Sequence, residues 1–116
     1  MRIIVDIDNT ICSQVPDGDY SKAEPMVERI EAINDLYDND NYIIYWTARG
    51  SETGIDWTEV TRRQFAEWGV KHHELRLGKP HYDLMICDKT FNPNGVKNVS
   101  TTLSRRLRDA YKGRQV

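Results

Sequence analysis

The sequence predicts an α/β fold, a single domain in which a parallel sheet carries helices on both faces. Three observations predict it. Short apolar runs rich in β-branched residues alternate with amphipathic stretches of about ten to fifteen residues. Each apolar run stops abruptly at polar residues, as a strand does where it leaves a buried sheet. At 116 residues the chain can bury roughly two-thirds of the surface its unfolded form exposes, and it is too short for a second core.

The elements follow in order. Ile3, Ile4 and Val5 read as a strand buried on both faces, running into Asp6, Asp8, Asn9 and Thr10. Cys12 to Glu24 is polar and contains Pro16, Asp17 and Gly18, a loop of the length that tends to carry function. Pro25 suits a first helical position, and Met26, Ile30, Ile33 and Tyr37, with Val27 and Leu36 alongside, recur at helical spacing until Asp38 to Asn41 break the pattern. Tyr42 to Trp46 (YIIYW) reads as a second buried strand, followed by Thr47, Ala48, Arg49 and Gly50. Asp56 to Glu59 has the form of a capping box, and Trp57, Val60, Gln64, Phe65 and Trp68 trace one face of a helix that Gly69 stops. A short strand at about 74–77 leads to Gly78, Lys79 and Pro80, and Leu84 to Cys87 reads as a further strand ended by Asp88. Val99, Leu103, Leu107 and Tyr111 mark a last helix, about 99–112, whose other face is basic.

Composition narrows the function. The net charge of −2 argues against a general nucleic-acid binder. From Lys97 onward the net charge is +5, which leaves −7 for residues 1–96. Cys12 and Cys87 stand in no metal-ligand spacing and suggest no disulfide framework, so a reducing, cytoplasmic setting is expected. Met1 leads into a strand without a signal-peptide pattern, and no apolar run approaches membrane-spanning length.

In parallel sheets ligands bind beyond the carboxyl ends of the strands. Asp6, Asp8, Thr47, Lys79 and Asp88 each follow an apolar strand, so separate segments are expected to deliver them to one rim. Crowded carboxylates need raised pKa values or a hard cation, and an oxygen-only ligand set suits Mg²⁺. A lysine and a hydroxyl nearby add donors for an anion, which together make a phosphoryl-transfer site.

Asp6-Ile7-Asp8-Asn9-Thr10 after an apolar strand resembles the DxDxT signature of the haloacid dehalogenase superfamily of phosphotransferases. Thr47 resembles its second motif, Lys79 in Gly-Lys-Pro its third, and Asp88 after Leu84 to Cys87 its acidic fourth, in the family's order and over about residues 2–92. The resemblance implies a Rossmann-like three-layer domain in which Asp6 attacks phosphorus and Asp8 is the acid and base. It also implies that Thr47 and Lys79 bind phosphoryl oxygens, while an Asp6 carboxylate oxygen, the Asp8 carbonyl and the Asp88 side chain hold Mg²⁺. The chain departs from the pattern where a second acid is common in the fourth motif: Lys89, Asn92 and Pro93 stand there, and Asn92 is the substitute through its amide or a water. Asp83, at the start of its strand, is not counted as a ligand. A bend after Asp6, supported by the Asn9 and Thr10 side chains, is expected to bring Asp6 and Asp8 to one phosphate.

Thirty-six residues lie between Thr10 and Thr47 and eight between Lys79 and Asp88, which leaves no room for a cap domain. An open site suits a bulky substrate or closure by a neighbouring subunit in a homo-oligomer. The short chain, TARG and GKPHYDLMICDK are most similar to the small capless phosphatases of capsular polysaccharide and sugar-phosphate metabolism.

Arg49 is expected either to contact a second anionic group of the substrate or to make a surface ion pair. His72 and His73 read as solvated loop residues, with His81 placed to reach substrate in the sharper of its two readings. Cys12 reads as a small semi-buried apolar residue, and Trp46, Trp57 and Trp68 as core. The expected activity is Mg²⁺-dependent hydrolysis of a phosphomonoester, a sugar phosphate or similar metabolite. A nucleotide or nucleic-acid 3′-phosphate is the alternative substrate, favoured by an open site and a basic tail. The rival of another kind is a receiver-like phospho-acceptor module, but its acceptor aspartate would end the middle strand, where Thr47 stands.

Overall fold

The computed structural model describes residues 1–94 of the chain, so the basic helix expected at about 99–112 lies outside the described residues. The chain divides into two compact units, Met1–Met85 and Ile86–Val116. The first is an α/β unit built on three parallel strands in the order β1-β2-β3: β1 (Arg2–Val5), β2 (Tyr42–Trp46) and β3 (Glu74–Arg76). Helix α1 (Val27–Asp38) links the first pair and α2 (Thr58–Trp68) the second. Arg2 pairs with Tyr42 and Val5 with Tyr45, while Ile44 pairs with Glu74 and Trp46 with Arg76, so all three strands end on one side.

The apolar periodicity decides what is buried. In β2 the run Ile43, Ile44, Tyr45 is closed to solvent on both faces, as a central parallel strand must be. Ile7 and Ile11 extend the core beyond β1, Ile30 enters from α1 and Phe65 from α2. Each of these side chains contributes about 1.5–3 kcal/mol relative to exposure. β1 does not match the expectation of a strand buried on both faces: it is an edge among the described strands, and Ile4 is 58% exposed on the side no described layer covers.

Helix termini follow local chemistry. Gly69 caps α2 with φ +67, a left-handed conformation that costs glycine little, and Val70 N–H closes the turn on the Phe65 carbonyl. The capping at the other end lies one residue away from the expected box. The cap position is Trp57, and the Asp56 carboxylate accepts from both the backbone N–H and the hydroxyl of Thr58. α1 begins at Val27, two residues beyond Pro25, and ends where Asp40 adopts φ +66.

Leu84 to Cys87 forms no strand. These residues are exposed and pair with no described strand, because an apolar run becomes a strand only where a neighbour supplies its ladder. Trp68 packs against the core as expected, whereas Trp46 and Trp57 are half-buried outside it: Trp57 meets Tyr20 edge-on, and Trp46 lies under the Lys79 ammonium. His73 is exposed in the loop before β3, as expected, and is also anchored there. Its Nδ1 accepts the Ile43 N–H at 3.0 Å, and its ring stacks on both Tyr37 and Tyr42. His72 likewise packs edge-on against Phe65.

Candidate active site

Asp6 stands one residue beyond β1, Thr47 one beyond β2 and Lys79 three beyond β3, so parallel pairing brings them to one edge. The pairing of β2 with the β3 segment continues past the strands: Thr47 N–H donates to the Arg76 carbonyl, and Lys79 N–H donates to the Thr47 carbonyl at 3.0 Å. That last bond sets Lys79, whose Nζ lies 3.8 Å from Asp6 Oδ1. Burial pushes the Asp6 carboxyl above its ordinary value, and the Lys79 ammonium pulls it part of the way back. Asp6 Oδ1 also accepts the Ile7 N–H at 2.9 Å.

The two carboxylates need no bend between them. Residues two apart point to the same side of extended backbone, and Ile7 between them is fully buried on the other. The turn comes after Asp8: Thr10 and Ile11 N–H groups both reach the Ile7 carbonyl, Asn9 takes φ +60, and Asn9 N–H donates to the Cys12 carbonyl. The expected bend after Asp6 is thus displaced to Asp8–Ile11. These bonds are main-chain ones, with asparagine at the left-handed position it tolerates better than most residues.

Arg49 does make an ion pair, but an internal one rather than the surface pair of the second expectation, because its side chain is fully buried. The guanidinium instead grips Asp8: Nε donates to Oδ2 at 3.0 Å and to Oδ1 at 3.3 Å, and Nη2 donates to Oδ1 at 2.9 Å. Nη1 is held by Thr61 Oγ1 at 3.0 Å and Gln64 Oε1 at 2.6 Å, both from α2, and the Tyr20 ring lies 4.9 Å from the guanidinium. Gln64 Nε2 donates in turn to the Tyr20 carbonyl, which fastens the loop after Asp8 to the same helix. Cys12 is fully buried beside this pair, donating to Asp8 Oδ1 and accepting from Arg49 Nη2. Burial first, and the Asp8 charge second, push its thiol up to about 12.

Thr61, Gln64 and Tyr20 were not candidates from the sequence. The signal that points to Gln64 is a polar residue on the apolar face of a helix, which needs a buried partner. On the far side of Lys79, the Tyr82 hydroxyl lies 3.4 Å from Nζ, and Ser51 Oγ donates to the Lys79 carbonyl at 2.7 Å. His81 is exposed, with Nε2 3.8 Å from Glu52 Oε1.

Asp88, the expected fourth-motif residue, belongs to the second unit, where it is exposed in a turn with Lys89 and lies 3.8 Å from the Cys87 thiol. Asn92, in the same unit, accepts the Asn94 N–H. Among the described residues no three His, Cys, Asp or Glu side chains form a metal-holding group. What Asp6 offers a cation is a half-buried carboxylate with Oδ2 unpaired among the described residues, a hard oxygen donor of the kind Mg²⁺ takes. No described helix is long and apolar enough to cross a membrane.

Neither a protein-family model nor a curated protein sequence matches this chain. Among solved structures, the chain is similar to a crystallographic target protein from Vibrio cholerae, with 21% identity, a TM-score of 0.72, and coverage of 95% of this chain and 98% of that one. At that identity the likeness speaks to fold alone, and it agrees with a small α/β domain on a three-stranded parallel sheet.

Proposed function

We propose that this chain is a magnesium-dependent phosphomonoester hydrolase of the haloacid dehalogenase type. In this reading it is a capless, three-layer, Rossmann-like domain working in the cytoplasm on a sugar phosphate or similarly small metabolite. The observation that carries the reading is the convergence of Asp6, Thr47 and Lys79 beyond three adjacent parallel strands, with the Lys79 ammonium 3.8 Å from the Asp6 carboxylate.

The chemistry follows from what each side chain can do. An Asp6 oxygen attacks phosphorus as the bond to the substrate oxygen breaks, giving an aspartyl-phosphate, and Asp8 supplies the proton the leaving oxygen needs. Asp8 then takes a proton from a water that attacks the same phosphorus, which frees Asp6 and releases phosphate. Lys79 neutralises charge on the phosphoryl oxygens. Thr47 accepts the Arg49 N–H on its oxygen, which leaves its hydroxyl proton for the phosphoryl group. Both residues are nearly closed to solvent, which strengthens each interaction with an anion. Magnesium would be held by an Asp6 oxygen and the Asp8 carbonyl and would supply charge stabilisation for phosphoryl transfer.

Phosphate release with and without Mg²⁺ tests this across p-nitrophenyl phosphate, sugar phosphates, nucleotides and a 3′-phosphorylated oligonucleotide. Wild type should release phosphate only with the metal and fastest from a sugar phosphate. Asp6→Asn should be inactive with an unchanged circular dichroism spectrum, and a fully active Asp6→Asn protein would overturn the reading.

A further inference from the structure

We infer that Arg49 is a positioning residue for the second half of the reaction: with Gln64 and Thr61 of α2 behind it, it holds the Asp8 carboxylate in the orientation that receives the proton of the attacking water. The inference rests on the hydrolase reading of the site.

Three features of the contact separate it from an ordinary ion pair. The guanidinium meets both oxygens of Asp8 through two different nitrogens, a fork that fixes the carboxylate plane as well as its distance. Arg49 has no solvent to retreat into, being fully buried, whereas Asp8 keeps 19% of its side chain exposed, so the fixed partner is the arginine and the working face belongs to the aspartate. The remaining nitrogen, Nη1, is tied to Thr61 and Gln64, so the guanidinium cannot swing without breaking two further buried bonds. Lysine cannot reproduce such a fork. An isolated pair of this kind would cost nearly as much in desolvation as it returns, which makes orientation rather than stability the reason to keep it.

In the hydrolysis step the water oxygen bonds to phosphorus, its proton passes to Asp8, and the bond between phosphorus and Asp6 breaks. An Asp8 that has lost its fixed plane serves this step poorly. Formation of the aspartyl-phosphate from p-nitrophenyl phosphate is spared, because p-nitrophenolate leaves as its anion without a proton.

The test uses the full chain with Mg²⁺ and p-nitrophenyl phosphate, comparing wild type, Arg49→Lys and Gln64→Met. If Arg49 positions Asp8, Arg49→Lys lowers kcat by about tenfold or more, within what a placed base contributes. KM falls with it, kcat/KM stays nearly constant, and p-nitrophenolate appears in a burst approaching one equivalent per enzyme. Gln64→Met, which removes one of the two bonds that hold Nη1 without touching Asp8, shifts the same quantities in the same sense by less. Loss of kcat and kcat/KM in parallel, with no burst in either variant, would mean a merely structural arginine and overturn the inference while the hydrolase reading stands. If wild type hydrolyses no phosphate ester, both fall together.

Discussion

Lys79 Nζ lies 3.8 Å from Asp6 Oδ1 although Lys79 is only 5% exposed, so the ammonium of a buried lysine faces the carboxylate expected to be the nucleophile. Its backbone is pinned by the Thr47 carbonyl and by Ser51, and its head sits 4.9 Å from the Tyr82 ring centroid and 6.0 Å from that of Trp46. Lys79→Met keeps most of the volume and removes the charge. Phosphatase activity should fall by about a hundredfold or more, the scale on which one preorganised charge partner acts. The Asp6 carboxyl, losing the group that lowers it, should titrate higher still. Carboxylate titration by NMR checks the second effect independently of turnover.

The Cys12 thiol gives a pH dependence with a definite sign. Its folded pKa is raised from 9.0 to about 12, so its contribution to stability is fully present below pH 9 and is lost as pH climbs toward 12, where the unfolded chain sheds a proton the folded chain keeps. Over that window stability should fall by about 1.4 kcal/mol per pH unit from this group. Urea unfolding at a series of alkaline pH values measures the slope, and Cys12→Ala should flatten it. In the native protein at neutral pH a thiol reagent should titrate Cys87, which is exposed, and spare the buried Cys12.

The sequence made the strand ends legible because each is a local event, an apolar run stopping at Asp6 or Thr47. Gly69 was legible for the same reason, a glycine one residue past an amphipathic face. The Arg49 contacts were not. They join Asp8, Thr61 and Gln64 across 12 to 41 residues of sequence, and periodicity places Gln64 on the apolar face without naming its partner. Composition alone makes an arginine after a strand look like a substrate-facing cation, since burying one is costly unless every donor is paired. His73 is the exposed loop residue the sequence suggested, but neither its bond to Ile43 nor its stack on Tyr42 has any signature in neighbouring residues. Leu84 to Cys87 failed for the converse reason: its pattern is a strand's, but pairing depends on a neighbour that no local pattern supplies.

Gly50 follows Arg49 immediately and takes φ +78, and a Cβ there would run into the Ile55 carbonyl oxygen. Two penalties therefore act together, a left-handed backbone and a clash with main chain that cannot rotate away. Gly50→Ala should destabilise the protein by at least about 2 kcal/mol. Because the loop must open to relieve the contact, the displacement should reach Arg49. Chemical denaturation gives the first quantity, and the burst amplitude with p-nitrophenyl phosphate reports the second. A Gly50→Ala protein as stable as wild type would show that the loop from Gly50 to Ile55 yields freely.

Tyr45 is the most confined aromatic residue of the sheet, fully buried at the centre of β2 and packed edge-on against Phe65 with ring centroids 4.9 Å apart. Its hydroxyl meets no hydrogen-bond partner among the described residues, and burial raises its pKa far above the ordinary phenol value. The ring and the hydroxyl thus pull in opposite directions. Removing the ring should be expensive, about 3–5 kcal/mol for Tyr45→Ala, because the cavity opens between α2 and the central strand. Removing the oxygen alone relieves a buried polar group that no described residue compensates for its lost hydration, a penalty of about 1–3 kcal/mol when unmet. Tyr45→Phe should therefore leave stability unchanged or raise it by about 1 kcal/mol, seen as a higher urea midpoint at constant m-value. A clear loss on Tyr45→Phe would mean that the hydroxyl is bonded after all, and packing around Phe65 would have to be reconsidered with it.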